Sequence, residues 1–376
     1  MFHIITALIA VYVSWRFVWP LSLSKTSKGL LGALLLLAAE HHLLTRTFFG
    51  SMASPEIPGP VLMVLGWAFG TLVLLALLLL IRDVLGILLF GVSRQAGRAL
   101  LVQARLGITL GVLSAGLSAL GVWQAVRVPQ VKTVEIVLPR LPAAFDGFRL
   151  VQLTDLHASR LLQAPWMQAV VTRANALRPD LVVITGDLTD GSPQARADDI
   201  RPLQALKARY GVFAIPGNHE YYIDYLNWLP AFDRLGLHML LNQHALITHQ
   251  GRELVLAGIT DKAALPFELP LPDVAAALEG APEGAPVILL SHRPVGAVAN
   301  ASLGVDLQLS GHTHGGQILG PHLLAQWANE GFVSGLYEVA GMRLYVSNGS
   351  GLWNGFPIRL GRPSEITEIV LRAPAS

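Results

Sequence analysis

The stretch LVVITGDLTD, residues 181–190, joins a short run of apolar and β-branched residues to a polar block. A run of this length, rich in Val and Ile and ended by Gly186, is typical of a β-strand that is buried on both faces. Layered sheets of such strands bind ligands outside the carboxyl ends of the strands. The stretch therefore predicts an α/β fold and places Asp187 where a ligand site is expected.

Four other stretches repeat this arrangement of a predicted strand followed directly by polar residues. The strand at 148–154 runs into TDLH, the one at 212–216 into PGNHE, the one at 287–291 into SHRP, and the one at 305–310 into SGHTHGG. Because strand ends meet at one edge of a sheet, loops far apart in sequence can converge there. The side chains that they would bring together are those of Asp155, His157, Asp187, Asn218, His219, His292, His312 and His314.

The other predicted elements complete a chain in which strands and helices alternate. A helix is expected at 166–177, where Arg178, Pro179 and Asp180 end it. Further strands are predicted at 132–138, 254–258, 332–339, 342–348 and 365–371. The fold class is therefore α/β or α+β with a layered sheet.

The candidate side chains favour a metal centre. All of them are oxygen or nitrogen donors in a chain that has no cysteine, and such a set suits Zn, Mn or Fe. There are too many donors for one tetrahedral ion, whereas two ions sharing the Asp187 carboxylate would use them well. Taken singly, each block is also an ordinary turn, and a lone His is more often a structural residue. Together, in this order and each after a strand, the blocks are poorly explained by chance.

The block LSGHTHGGQ at 309–317 contains two histidines separated by one residue. On an extended segment the side chains of His312 and His314 would point the same way, about 6 to 7 Å apart. That spacing predicts one imidazole for each ion. The adjacent glycines would let the backbone turn tightly and leave room for a phosphate.

Composition indicates a membrane portion before the layered domain. Hydrophobic residues make up 52% of the chain, charged residues 14%, and mean hydropathy is +0.51, which is too apolar for an ordinary soluble domain. Stretches long enough to span a bilayer lie at 4–23, 30–49, 61–81 and 106–126. We therefore expect an all-α transmembrane region of about four helices at 1–128 and a globular domain at 129–376. A net charge of +2 without a long basic run gives no indication of nucleic-acid binding.

Lys and Arg in the loops predict the orientation of these helices. The notable basic residues are Lys25 and Lys28 in the first loop and Arg94, Arg98 and Arg105 in the third, against Arg46 alone between the second and third spans. By the positive-inside rule, the first and third loops face the cytoplasm, which makes the globular domain of this multi-pass protein extracytoplasmic. Arg127 and Lys132, just after the last predicted span, favour the opposite orientation.

Three polar residues, Glu40, His41 and His42, occur in the second apolar stretch. Such residues at bilayer depth often mark a pathway or a partner. The alternative is that the span ends near Ala39 and leaves all three at the interface. We favour the interfacial position and assign no site there.

The five polar blocks resemble the signature of the calcineurin-like metallophosphoesterases: DxH, GD, GNH[ED], a His, and GHxH. No ligand type is replaced, and the resemblance covers roughly residues 132–372. Together with GFPIRLGRPSEI at 355–366, the blocks are most similar to the membrane-associated YkuE- and YaeI-like branch. The resemblance implies a four-layer αββα sandwich with two β-sheets flanked by helices, and two metal ions between the strand ends.

The resemblance also implies a role for each residue. One ion would be held by Asp155, His157 and His314, the other by Asn218, His292 and His312, and Asp187 would bridge them. His219 would act near the leaving group as the catalytic residue. The implied cofactors are two divalent ions, Mn, Fe or Zn, and the reaction is attack of a metal-activated water on phosphorus.

The expected activity is hydrolysis of a phosphodiester or pyrophosphate by an enzyme anchored in the bilayer, where the substrate would be a lipid or an envelope glycolipid. Phosphomonoester hydrolysis by the same fold is the alternative. A non-catalytic metal-binding sensor or scaffold would be signalled by a lost ligand or a lost His219, and neither is lost. A transporter would need more polar residues within the spans. Candidate contacts for phosphate or a head group, or else merely solvated residues, are Arg160, Asn354, Arg359 and Arg362.

Overall fold

The computed structural model describes residues 2–52 and 54–374. Contacts divide the chain into two units. The helical unit consists of residues 1–124 together with 354–358, and the sheet unit of residues 125–353 and 359–376. The short segment 354–358 thus belongs to the helical unit by its contacts, although it lies late in the sequence.

Five helices make up the described part of the helical unit. They are α1 (Phe2–Val13, continued by a π-helical turn at Ser14–Val18), α2 (Lys25–Phe48), α3 (Gly59–Val92), α4 (Arg94–Val102) and α5 (Ala104–Val126). Among the described residues, α3 and α5 are both long and apolar enough to cross a membrane. At 34 residues, α3 is about 51 Å long, which exceeds the roughly 30 Å of a bilayer's hydrocarbon core. The other two spans of the expected four stay a prediction.

Small side chains let the first three helices pack closely. Ala10, Val13 and Ala39 are buried against Leu72 and Leu79 of α3 in one apolar cluster. The charged groups that interrupt the apolar sequence pair with one another: the Asp83 carboxylate accepts from Arg16 Nε at 2.6 Å and from Arg82 at 2.7 Å. Helix α3 is continuous through these residues, and the charges of Arg82 and Asp83 within it are compensated by ion pairs.

Glu40, His41 and His42 lie within α2, which continues without a break to Phe48. Glu40 accepts a hydrogen bond from Thr6 at 2.7 Å and lies 3.0 Å from the His3 ring. His42 donates from Nε2 to the carbonyl of Gly355. These partners satisfy the polar groups within the unit, and α2 does not end near Ala39. The position of the three residues at the membrane interface stays a prediction.

The segment 354–358 packs against α3 at two glycines one helical turn apart. A Cβ on Gly66 would lie 2.5 Å from Pro357, and a Cβ on Gly70 would lie 3.0 Å from Ile358. The Phe356 ring contacts Phe69 edge-on, with 5.5 Å between ring centroids. The missing side chains on α3 therefore make the groove in which this segment lies.

The sheet unit contains two mixed sheets of six strands each. The first has the order β1-β12-β2-β3-β4-β5 and the second the order β10-β11-β9-β8-β7-β6. The strands are β1 (Gln130–Val137), β2 (Arg149–Leu153), β3 (Leu181–Thr185), β4 (Val212–Ile215), β5 (His238–Met239), β6 (Gln243–His249), β7 (Arg252–Gly258), β8 (Val287–Leu290), β9 (Leu307–Ser310), β10 (Gly335–Val339), β11 (Met342–Val346) and β12 (Glu365–Arg372).

Seven helices accompany these strands. They are α6 (Ala164–Ala176), α7 (Pro193–Ile200), α8 (Asn218–Ile223), α9 (Tyr225–Arg234), α10 (Val274–Ala277), α11 (Ala297–Ser302) and α12 (His322–Ala328). Short 3₁₀ turns occur at Ala143–Phe145, Arg201–Ala205, Lys262–Phe267 and His314–Gly316.

Three apolar clusters explain the layers. The middle cluster joins the inner faces of the two sheets, for example Leu150 and Val183 with Ile288 and Leu307. The first outer cluster packs α6 and α9 on the first sheet, and the second packs α10 and α11 on the second sheet. The central strands are buried on both faces, which is why they are continuous apolar runs. The predicted four-layer sandwich is confirmed. The strands β5 and β6 were not predicted from the sequence.

Candidate metal centre

The side chains predicted to bind metal meet at the carboxyl ends of five strands. Each of β2, β3, β4, β8 and β9 ends immediately before one of the polar blocks. The candidate ligands in these blocks are almost fully buried, with at most 7% exposure for Asp155, His157, Asp187, Asn218, His292 and His314. His312 is partly buried.

One group of ligands comes from the ends of β2 and β9. Asp155, His157 and His314 present donor atoms that all lie within 4.8 Å of one another. Asp155 Oδ1 is 3.9 Å from His157 Nε2 and 3.6 Å from His314 Nε2. An ion between these atoms would have one carboxylate and two imidazoles around it.

A second group comes from the ends of β3, β8 and β9. Asp187, His292 and His312 also lie within 4.8 Å of one another. Asn218 is close to them, since its Oδ1 lies 3.1 Å from His292 Nε2. This second group has an amide oxygen where the first has the Asp155 carboxylate.

Asp187 lies between the two groups. Its Oδ2 atom is 3.7 Å from His157 Nε2 and 3.3 Å from His292 Nε2. His157 belongs to the first group and His292 to the second. One carboxylate thus faces both groups, as a bridging ligand would.

The imidazoles are oriented by hydrogen bonds through their other nitrogen. His157 Nδ1 lies 2.9 Å from Asp190 Oδ1, and His292 Nδ1 lies 2.8 Å from the carbonyl of Thr185. Each ring therefore directs Nε2 toward the centre, which is the usual arrangement around a metal. The buried Nε2 of His157 has no hydrogen-bond partner among the described residues. This unpartnered nitrogen fits a divalent cation.

The charges at the centre fit a cation as well. Burial opposes protonation of His292, but the nearby Asp187 and Asp155 raise its pKa to about 10. Burial, with repulsion from His292 and Arg293, lowers the pKa of His312 well below its usual value, and burial with His157 does the same for His314. Two histidines are therefore neutral donors. His292 retains a proton whose charge a metal ion would replace.

Asp190 contacts two of the predicted site residues and was not itself predicted from the sequence. Its Oδ1 atom accepts from His157 Nδ1 and also lies 2.6 Å from His219 Nδ1. Burial lowers the pKa of His219, but the negative charges of Asp187 and Asp190 outweigh burial and raise this pKa to about 9. Asp190 therefore orients both a candidate ligand and the candidate acid. In the sequence, Asp190 is the second Asp of the block TGDLTD, and its place in that block could have indicated it.

Glu220 is a second residue whose role only the structure reveals. Its carboxylate accepts backbone N–H bonds from Gly217 at 2.7 Å and Leu188 at 2.8 Å, with longer bonds from Asp187 and Thr189. Burial, with repulsion from Asp187, raises the pKa of Glu220 to about 7. The side chain ties the turn after β3 to the turn that begins α8. It therefore fixes Asp187 and Asn218 relative to each other.

The backbone of the GHTHGG block is not extended, so the geometric premise for His312 and His314 is wrong. His312 has φ 67°, Thr313 has φ −78° and ψ −16°, and His314 has φ 50°. The two rings nevertheless belong to different groups of ligands. Asp155, His157 and Asp187 also have positive φ. Backbone strain of this kind is concentrated at functional sites, where surrounding structure holds it in place.

The glycines beside the ligands are needed for contacts between loops. A Cβ on Gly217 would lie 2.2 Å from Asp187 Oδ1, and a Cβ on Gly311 would lie 2.3 Å from Asp155 Oδ2. These positions therefore accommodate neighbouring ligand side chains. The expectation that the glycines of the GHTHGG block leave room for a phosphate stays a prediction.

Two arginines near the centre have different roles. Arg293 is held by Asp261 at 2.8 Å and directs a guanidinium nitrogen to within 2.7 Å of His312 Nε2. Arg359 is completely buried and donates to the carbonyls of His314, Asn348, Gly351 and Arg362. The interpretation of Arg359 as a phosphate contact or a solvated residue is wrong, because the side chain is completely buried and its Nη1 and Nη2 atoms donate to backbone carbonyls.

Comparison with known proteins gives a consistent picture. A family model described as calcineurin-like phosphoesterase matches residues 148–316. A transmembrane protein with metallophosphoesterase domain from Danio rerio is 37% identical over 270 residues, which are 69% of this chain and 61% of that protein. The chain thus spans about three fifths of the length of that relative.

Two bacterial relatives are matched over more of their length. An uncharacterized metallophosphoesterase of Campylobacter jejuni is 35% identical over 70% of this chain and 69% of its own length. The uncharacterized metallophosphoesterase YkuE of Bacillus subtilis is 30% identical over 62% of this chain and 82% of its own length. The range matched by the family model, residues 148–316, includes all five polar blocks.

Proposed function

Because this chain belongs to the calcineurin-like phosphoesterase family, we propose that it is a membrane-anchored phosphoesterase that uses two divalent ions. The position of Asp187 carries the proposal. Its Oδ2 atom faces Nε2 of His157 and Nε2 of His292, at 3.7 and 3.3 Å. A carboxylate shared between two sets of donors supports a dinuclear centre more directly than any single set does.

Each ion has its own donors in this proposal. Asp155, His157 and His314 hold one ion, and Asn218, His292 and His312 hold the other. When bound, the ions supply Lewis acidity, which makes water nucleophilic near neutral pH and polarises the phosphoryl oxygens. The donor set is compatible with Mn, Fe or Zn.

His219 is the proposed acid for the leaving group. Its Nδ1–H is directed to Asp190 at 2.6 Å, which leaves Nε2 as the atom that can give a proton to the departing oxygen. Its backbone N–H donates to Asp187 Oδ1 at 2.9 Å, so the residue is tied to the bridging carboxylate. Arg293 adds a positive charge that can contact a phosphate oxygen.

The proposed substrates are phosphodiesters or pyrophosphates of lipids or glycolipids. Two helices with the length and apolarity of membrane spans support anchoring in a bilayer, where lipid-linked phosphates are concentrated. The proposed orientation, with the sheet unit extracytoplasmic, follows from Lys25 and Lys28 between the first two predicted spans and from the Arg residues after α3. Fusion of a reporter active only outside the cytoplasm to the chain end tests it, and activity of a cytoplasmic reporter would reverse it.

The catalytic proposal is tested with purified full-length protein loaded with Mn²⁺. Bis-aryl phosphodiesters, aryl monoesters and lipid pyrophosphates are compared as substrates. Turnover of the diester or pyrophosphate is expected. Hydrolysis of the monoester alone would overturn the substrate class, and no turnover of any substrate by metal-loaded protein would overturn the enzyme proposal.

A further inference from the structure

An exposed apolar surface lies next to the metal centre, on α12 and the residue that leads into it. Its side chains are Leu319, Leu323, Leu324 and Trp327, which are 63, 60, 73 and 84% exposed. We refer to these four residues as the apolar ridge. Large apolar side chains grouped at such exposure indicate a surface that binds something.

The three ridge residues on α12 lie on one face of that helix, and the surrounding sequence carries no charged residue. With about 100° between successive helical residues, Leu323, Leu324 and Trp327 fall within an arc of about 100° on α12. Residues 311–329 include no Asp, Glu, Lys or Arg. Gln326, on another face of α12, donates to the carbonyl of Gly331 at 3.0 Å. The helix is thus amphipathic without ionic groups.

The ridge is held rigidly beside the ligand loop. A Cβ on Gly316, two residues after His314, would lie 2.5 Å from the Cα of His322 at the start of α12. Leu319 N–H donates to the carbonyl of Leu360 at 2.9 Å, and buried Ile318 forms a bridge with the same segment. The start of α12 therefore packs directly against the loop that carries His312 and His314.

We propose that the apolar ridge inserts into the surface of a lipid bilayer and thereby presents the metal centre to phosphates of membrane lipids. The occupant is a bilayer because Trp and Leu without charge suit the boundary between head groups and acyl chains, and because the same chain has two helices apolar enough to cross a membrane. With the ridge in the bilayer, a lipid phosphate would reach the ions beside it while its acyl chains stay in the bilayer. This substrate step depends on the proposed phosphoesterase activity, whereas insertion of the ridge does not.

The absence of cysteine in the chain makes a direct test possible. Leu324→Cys in the full-length protein is labelled with a polarity-sensitive fluorophore, and the protein is placed in nanodiscs with or without doxyl-labelled phospholipid. Val298→Cys on α11 is the matched control, since Val298 is 62% exposed in the same unit. Quenching by doxyl lipid is expected at position 324 and not at 298. Equal quenching at both, or none at 324, would overturn the proposal.

A second copy of the chain is the competing occupant. It would shift the emission of the label at 324 in proportion to protein concentration, without quenching by doxyl lipid, and that result would also overturn the proposal.

A second measurement separates insertion from catalysis. The triple variant Leu323→Gln, Leu324→Gln and Trp327→Gln is expected to turn over a lipid substrate in vesicles about tenfold more slowly, because apolar insertion is lost, and a soluble aryl phosphodiester at the wild-type rate. Equal loss on both substrates would indicate a merely structural role and overturn the proposal. Quenching at 324 in a protein that hydrolyses neither substrate would sustain the bilayer site and refute the proposed phosphoesterase.

Discussion

Asp190 Oδ1 lies 2.6 Å from Nδ1 of His219, and the same oxygen accepts from Nδ1 of His157 at 2.9 Å. Burial opposes ionisation of this carboxyl, yet the two histidines hold its pKa at about 2. One carboxylate therefore links a candidate metal ligand to the candidate acid. Asp190 is a positioning residue, since it acts through the two rings.

Asp190→Asn should make activity fall at a lower alkaline pH than in the wild-type protein. The raised pKa of His219 keeps its ring protonated until pH rises through that pKa, and removal of the Asp190 charge brings the pKa down. The alkaline limb of the kcat profile should therefore move to lower pH, with kcat reduced by about 10²-fold, as for loss of general acid catalysis. An unchanged alkaline limb in the metal-loaded variant would contradict the assigned relationship.

Asp187→Asn and His219→Ala should separate metal binding from proton transfer. Both variants should lose most turnover, but only Asp187→Asn should strongly reduce metal content, because Asp187 faces both groups of ligands. Metal analysis and turnover of the same preparations check this. Asp198→Asn is a suitable control, since the Asp198 side chain is 89% exposed. Equal metal loss in the first two variants would mean that His219 is a ligand.

Metal binding should release protons even at mildly alkaline pH. The pKa of His292 is raised to about 10, so its ring carries a proton below that pH in the metal-free protein, and a metal must displace it. Metal affinity should therefore fall as pH falls. Calorimetric titration with Mn²⁺ in two buffers of different ionisation enthalpy measures the proton count. The same binding enthalpy in both buffers would show that no proton is displaced.

Gly217→Ala should weaken metal binding although its backbone conformation tolerates alanine. The φ angle of Gly217 is −100°, and the added Cβ would lie 2.2 Å from Asp187 Oδ1. The bridging carboxylate must move, which should lower metal affinity by about 10-fold or more, as for disturbed ligand support. Gly116→Ala is the control, because nothing lies within 4 Å of its Cβ position. Wild-type metal affinity in Gly217→Ala would count against the close contact.

Arg359→Met should destabilise the fold without selectively raising KM. Arg359 is fully buried and donates to four carbonyls, which would lose their partners at a cost of about 3 kcal/mol or more. A lower melting temperature of the variant is the expected observation. Arg359→Lys should also be destabilised, since one ammonium cannot reach all four acceptors. Unchanged stability with a raised KM would restore a role in substrate binding.

Local sequence patterns were sufficient to predict a layered sheet and the set of candidate ligands, whereas the four-layer sandwich was implied by the family resemblance. Continuous apolar strands such as Leu181–Thr185 are visible in one dimension because burial on both faces excludes polar residues along the whole strand. The ligands follow these strands directly, so their convergence could be inferred from the rule that strand ends share an edge. Both inferences use only neighbouring residues.

Tertiary structure alone decided the contacts between distant residues. The link from Asp190 to His219 and that from Glu220 to the turn after β3 join residues about 30 positions apart. The burial of Arg359 and the packing of Pro357 on Gly66 are similar cases. No periodic pattern in the sequence indicates these contacts, because hydrogen bonding and steric fit depend on distances that exist only after the chain has folded.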